Sequence, residues 1–302
     1  MNEIFDKLIL RLIFAVYLCL MLLLYKYAHS FLYPTSRQQL FKRFFPSKNI
    51  SDTLHIMSRI IGVGMIFSEF QFTLSEGFLF ALFDFLLFAT VALALYLVSL
   101  YIIESIVLYN FEYIDEVIKR KNISYALISL AHSVGVAYII KVVLSVSQHS
   151  LIMLFFLWLF AMVIMGFASK TFHIVSKLPF NQLIVQKNPA VSYSYIGFIW
   201  GWILIISSSL DHQLLEIRWY AIQVVLKIIL SLIIIPIFLK GLVYVFRLQE
   251  SFDQDLINDS KSTDRERIQG YGVYEGALFL AACFLTTVIT GKVEFGIFYP
   301  VF

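Results

Sequence analysis

Long apolar stretches alternate with short polar ones along the chain, and that alternation predicts eight helices. The apolar runs cover residues 8–27, 53–72, 78–108, 124–147, 151–175, 191–210, 219–246 and 268–290. Each approaches or exceeds the roughly 20 residues that a helix needs to cross a hydrocarbon layer about 30 Å thick. The expected fold class is therefore all-α, a polytopic membrane helical bundle of eight transmembrane helices. Only residues 148–150 separate the fourth run from the fifth, whereas residues 248–266 form the longest polar segment, rich in Asp and Ser, and are the expected mobile tract or docking point for a partner. The first run follows Lys7 and Arg11 as a secretory signal would. Tyr27-Ala28-His29-Ser30 offers no small-residue cleavage site, so a retained membrane anchor is expected.

Composition settles the solvent. Hydrophobic residues make up 60% of the 302 and charged ones 14%, too apolar a balance for one water-soluble core to hide. The implied partner is the lipid bilayer. The net charge of +3 matters less than its distribution. Cations cluster in alternate loops: Arg37, Lys42, Arg43 and Lys48, then Lys119, Arg120 and Lys121, then Lys177 and Lys187, then Arg247, Lys261, Arg265 and Arg267. The opposite loops hold only Arg218. The positive-inside rule makes the basic loops cytoplasmic and puts both termini on the extracytoplasmic side. Topology and anionic lipid account for these cations, so no nucleic-acid partner is expected. A cytosolic protein at the basic loops, or a second copy of the chain, remains the expected kind of partner. Cys19 and Cys283 both fall inside predicted spans, where a thiol acts as a small hydrophobe, and neither a disulfide framework nor a metal site is indicated.

One phrase recurs at matched positions. Lys48-Asn49, Lys121-Asn122 and Lys187-Asn188 each close a basic loop, and a glycine follows each Asn by thirteen residues, at Gly62, Gly135 and Gly201. Asn is a good helix N-cap because its side chain accepts from backbone N–H groups that have no partner in the first turn, and Pro189 suits that turn. Ser58, Ala131 and Gly197 stand four residues before the glycines, and Gly272 and Gly276 repeat the spacing in the last run. Small residues at i and i+4 leave a groove for a neighbouring backbone. From Asn49 to Asn188 is 139 residues, and from Asn122 to Thr263, the last copy's counterpart of the Asn, is 141. These separations predict a tandem duplication into residues 1–147 and 148–302, each with four helices. Because the smallest unit holds two spans, the repeats insert in parallel, about an axis along the membrane normal.

The run Glu116-Val-Ile-Lys-Arg-Lys-Asn122-Ile-Ser-Tyr-Ala126, a polar segment ending in an Asn that opens a small-residue helix, resembles the YjfL-like bacterial inner-membrane family, also known as domain of unknown function 350. Members have four spans and two such motifs, so the resemblance implies a tandem of two domains in the cell inner membrane. Gly usually precedes the Asn in the family; here Lys does so in all three copies. The resemblance implies a fold and a location and transfers no active site.

Chemistry has to be sought where the bilayer makes polarity costly. Arg59 lies inside the second run and Glu104 near the same end of the third, and the two are expected to pair. His132 occupies the position after its Asn that Arg59 occupies after Asn49. Glu69, Asp84 and Lys141 lie towards the other side, and Glu275 is embedded beside Gly276. Arg59, Glu69, Asp84, Glu104, His132 and Glu275 are thus the candidates for an intramembrane polar pathway, and a proton relay through His132 competes with a simple packing role. Gly62-Val-Gly64 and Gly270-Tyr-Gly272 lack the setting of a nucleotide loop. Asp253, Asp255, Asp259 and Asp264 lack a calcium-loop pattern, and the serines at 207–209 have no His and Asp arranged for nucleophilic attack. No enzymatic activity and no cofactor is therefore expected. The expected function is transport or conduction of a small ion or solute through buried charged residues. The alternative is a non-transporting membrane partner or scaffold in envelope stress or assembly.

Overall fold

A computed structural model describes residues 2–32, 46–71, 77–147, 150–212, 216–248, 262–293 and 295. They form α1 (Asn2–Leu32), α2 (Ile50–Phe67), α3 (Phe78–Val107), α4 (Ile123–Ser147), α5 (Leu151–Val175), α6 (Phe180–Val185), α7 (Ala190–Leu210), α8 (Ile217–Val245) and α9 (Ser262–Thr290). No strand occurs among the described residues. Eight of these helices, all but the short α6, are long and apolar enough to cross a membrane, and the chain is a multi-pass membrane protein. Leu12, Val16 and Leu20 of α1, Phe83 and Val98 of α3, and Ile229, Ile233 and Ile237 of α8 are exposed, as outward positions in lipid can be at no cost. Phe72, Arg37, Lys42, Arg43, the turn at 148–149 and the polar segment 249–261 lie outside the described residues.

Two elements differ from what hydrophobic periodicity predicts. A π-helical turn spans Ile114–Lys119, and α6 is a single short helix. Six residues are too few to establish a period, so neither stands out as an apolar run. Both lead into a Lys-Asn phrase, and the phrase is a joint between two elements. Asn188 N–H bonds the Leu183 carbonyl at 2.9 Å and Lys187 N–H bonds that of Ile184 at 3.0 Å, the Schellman ending of a helix. Such an ending puts its penultimate residue in the left-handed region, and Lys187 has φ 56°. Lys121 (φ 51°) does the same after the π-turn. That region favours Gly, which is why Gly is suited to the position before the Asn. The asparagines then cap the helices that follow: Asn49 Oδ1 accepts from Asp52 N–H at 3.2 Å, Asn122 Oδ1 from Ser124 N–H at 3.1 Å and Asn188 Oδ1 from Ala190 N–H at 3.1 Å. Each cap contributes about 1 kcal/mol.

The chain divides into two compact units, Met1–Trp158 and Leu159–Phe302, the cut falling inside α5. In the first, α2 and α4 pack side by side along their lengths and run parallel. Lys121 Nζ donates to the Lys48 carbonyl, Ser129 meets His55 and Lys141 Nζ donates to Ser68 Oγ, pairs separated by 73, 74 and 73 residues. Asn49 and Asn122 are also 73 apart, so the two motif-bearing helices face one another in register. Gly62 is small because Tyr96 of α3 and the Ser133 backbone of α4 occupy the space a Cβ would fill. Away from the motif end, Phe14 of α1, Phe67 and Phe70 near the end of α2, and Phe85 of α3 form an aromatic cluster with ring centroids 5.3–6.3 Å apart. Trp158 Nε1 donates to Ser99 Oγ at 2.7 Å.

In the second unit, α7 and α9 are the closely packed parallel pair. A Cβ on Gly272 would strike the Ala190 backbone, one on Gly276 that of Tyr193, and one on Gly197 that of Gly276. Gly201 lies against Cys283 and Phe279. Here partners are about 81 residues apart, as for Ser194 and Glu275. Aligning Thr263 with Asn188 implies a separation of 75, so α9 is displaced from that register by about six residues, roughly 9 Å along its axis. Thr263 falls in the first turn of α9, not at a cap position. The reason is backbone contact: Gly272 and Gly276 fit the first turns of α7, and depth follows that fit. Pro236 interrupts the hydrogen-bond ladder of α8.

Candidate functional site

The first unit is built around a buried polar cluster. Arg59 of α2 donates from Nη2 to both carboxylate oxygens of Glu104 of α3, at 2.7 and 3.0 Å. Both side chains are almost wholly buried. Ser129 of α4 donates to Glu104 Oε1 at 2.8 Å and lies 2.9 Å from His55 Nδ1. A hydroxyl has one proton and a carboxylate only accepts, so Ser129 gives its proton to Glu104 and receives one from the imidazole; the network thereby assigns the proton of His55 to Nδ1. The His55 ring stacks obliquely on Tyr113 at 4.6 Å and lies 5.6 Å from the ring of His29 of α1. Tyr113 donates to Asp52 Oδ1 at 2.7 Å. Burial, with Asp52 beside it, pushes the Tyr113 phenol well above its ordinary pKa, which keeps it a donor.

These contacts make a polar column from Asp52, in the first turn of α2, through Tyr113, His55, Ser129 and Glu104 to Arg59. Asp52 and Arg59 are seven residues apart, about 10 Å of helix rise. The column exists because α2 and α4 pair in register: His55 and Ser129 meet across them, while Glu104 reaches in from α3. Tyr96 donates to the Arg59 carbonyl at 3.5 Å and covers the column's deep end in the space left by Gly62. Glu116, in the π-turn beside the motif end, accepts from Arg120 at 2.5 Å and from Asn122 Nδ2 at 2.7 Å.

Of the six candidates for a polar pathway, the structure brings Arg59 and Glu104 into contact. His132 is fully buried on α4, on the same face as Ser129. Glu69 lies 3.9 Å from Lys141 at the rim, and Asp84 is half-buried on α3. Glu275 belongs to the second unit, where its carboxylate accepts from Ser176 Oγ at 2.6 Å, from the Lys177 backbone N–H at 3.0 Å and from the Ser194 hydroxyl. Gly135 is buried in α4, Gly272 and Gly276 are buried against α7, and Trp202 is buried next to Phe198.

Sequence reasoning missed several members. His29 and His55 lie on different elements, and no spacing marks them as neighbours. Lys227 carried a signal that was legible: a lysine eleven residues into an apolar helix. It is buried and donates to the Gly291 carbonyl at 3.4 Å, placing its charge at the C-terminal end of α9, where the helix dipole favours a cation. Ser231 completes this join by donating to Thr290 Oγ1 at 3.3 Å.

No curated protein and no solved structure matches the chain. Residues 3–144 match the family model described as Domain of Unknown Function (DUF350). That segment contains nearly all of α1 to α4, two of the capping asparagines and the whole polar column. Residues 3–144, just under half of the chain, are thus similar to the DUF350 family.

Proposed function

We propose that the protein is an inner-membrane transporter or channel for a small ion, with its Asn-capped loops in the cytoplasm and both termini outside, and that the ion is the proton. The observation that supports this is the hydrogen-bonded series His55, Ser129 and Glu104, in which each member can pass a proton to the next, with Arg59 paired to the last and Tyr113, stacked on His55, bonded to Asp52. A buried arginine and carboxylate in a bilayer-spanning bundle are expensive and need a reason. The aromatic cluster of Phe14, Phe67 and Phe85 beyond the column acts as its closed end. The chain is read as a tandem of two such domains, because each unit holds one pair of parallel helices joined through small residues and each has a Schellman-to-Asn joint.

Liposomes containing the purified chain and a pH-sensitive dye, driven by a potassium diffusion potential, test this reading. Wild-type protein should move protons above the leak of empty liposomes. Ser129→Ala, which removes the link between His55 and Glu104 at a stability cost of about 1 kcal/mol, should reduce flux to that leak while the protein still elutes as one species. Absence of wild-type flux at either polarity would overturn the proposal. It would favour the second reading, a non-transporting membrane partner or scaffold, for which the satisfied geometry of the Arg59–Glu104 pair also speaks: two guanidinium bonds and a serine leave that carboxylate well bonded.

A further inference from the structure

The second unit contains a cavity of about 700 Å³ that the polar column does not involve, within the size range of small-molecule sites. Its walls are largely apolar, with Phe172, Phe198, Leu239, Val243, Leu278 and Phe279 among them. Its charged groups are few and of opposite sign: the Glu275 carboxylate on one hand, Lys177 and Lys240 on the other. Three donors orient that carboxylate. Ser176 and Ser194 both bond Oε2, whereas Oε1 takes only the Lys177 N–H and keeps accepting capacity. Among the described residues no lysine or arginine forms an ion pair with Glu275. A carboxylate in an apolar cavity, held by neutral donors without a cation, is the arrangement a cationic ligand group completes.

Position narrows the ligand class. Lys177 follows the end of α5 at Val175, and Lys240 precedes the end of α8 at Val245 by little more than a turn. Both ammonium groups therefore sit where long side chains reach the headgroup layer, and the apolar wall formed by Leu239 and Val243 continues from there along α8. A ligand matching this order has a primary ammonium, then a phosphate, then hydrocarbon. We propose that the cavity binds an aminophospholipid, with its ammonium on Glu275, its phosphodiester at Lys177 and Lys240, and an acyl chain along α8. A choline headgroup has no N–H to donate to Oε1, and an anionic glycerol headgroup would set hydroxyls and net negative charge against the carboxylate.

Native mass spectrometry of the full chain in detergent, titrated with dioleoyl phosphatidylethanolamine, phosphatidylcholine or phosphatidylglycerol, tests the proposal. The ethanolamine lipid should bind about tenfold more tightly than the choline lipid, the worth of one charged hydrogen bond in a partly desolvated site. Glu275→Gln should abolish that preference. Because Glu275 also ties the Ser176 turn to α9, a second variant is needed: Val243→Trp fills the cavity from α8 without touching the carboxylate and should weaken binding of the ethanolamine lipid at least tenfold. Equal binding of the ethanolamine and choline lipids by wild type, tighter binding of the glycerol lipid, or an unchanged preference in Glu275→Gln would each overturn it.

Discussion

At the residue scale, the decisive feature is that the buried charges of Arg59 and Glu104 are closely paired. Arg59 and Glu104 share two hydrogen bonds and are both almost wholly buried, so removing one partner leaves an uncompensated charge. Arg59→Leu should therefore lower stability by about 3–5 kcal/mol, whereas Arg59→Met combined with Glu104→Leu should recover most of that loss. Thermal unfolding of the detergent-solubilised variants measures both, and a single variant as stable as wild type would contradict the pairing. Lys187 makes a smaller and opposite case. Its left-handed backbone (φ 56°) costs a side-chain-bearing residue about 1–2 kcal/mol, part of which Gly returns as chain entropy in the unfolded state. Lys187→Gly should thus stabilise the protein by about 0.5–1 kcal/mol, read as a higher melting temperature, while Lys187→Val should lower it. The preference for Lys over Gly there was legible in sequence as a departure; its backbone consequence was not.

At the element scale, two parallel helix pairs organise the two units, α2 with α4 and α7 with α9. In lipid no hydrophobic force draws helices together, so close backbone approach has to supply the packing. The glycines permit it, most clearly at Gly276, where a Cβ would meet the Tyr193 carbonyl and the Ser194 backbone. Backbone cannot move aside as a side-chain tip can. Gly276→Val should accordingly cost about 3 kcal/mol or more, whereas the same change at Gly270, which has open space around its Cβ position, should be neutral or slightly stabilising, because Gly is the poorer helix former. Chemical unfolding of both variants separates them. The capping role of Asn49, Asn122 and Asn188 could be read from their place before apolar runs, because a cap is a local interaction. The register of α9 could not: Thr263 was aligned by spacing, and only contact with α7 shows the displacement.

At the scale of the whole molecule, the two proposed roles divide between the units. The first carries the polar column on which the proposed proton movement depends, and the second carries the cavity with Glu275; the flux and lipid-binding experiments test them separately, since Ser129 and Val243 belong to different units. The amino-acid sequence by itself determined the number of spanning helices, the asparagine caps, the small-residue stripes and the kinship of residues 3–144, because each depends on apolar run length or on chemistry within a few neighbouring residues. It also pointed to Arg59 and Glu104, since charge inside an apolar run must be answered at a similar depth. Only the tertiary structure decided that His55, Ser129 and Tyr113 join them, that α9 is displaced against α7, and that Glu275 opens onto a cavity rather than onto the column. Those outcomes depend on which helix faces meet and at what height. That is a property of packing between segments about 70 to 80 residues apart, and no local pattern along a single chain encodes it.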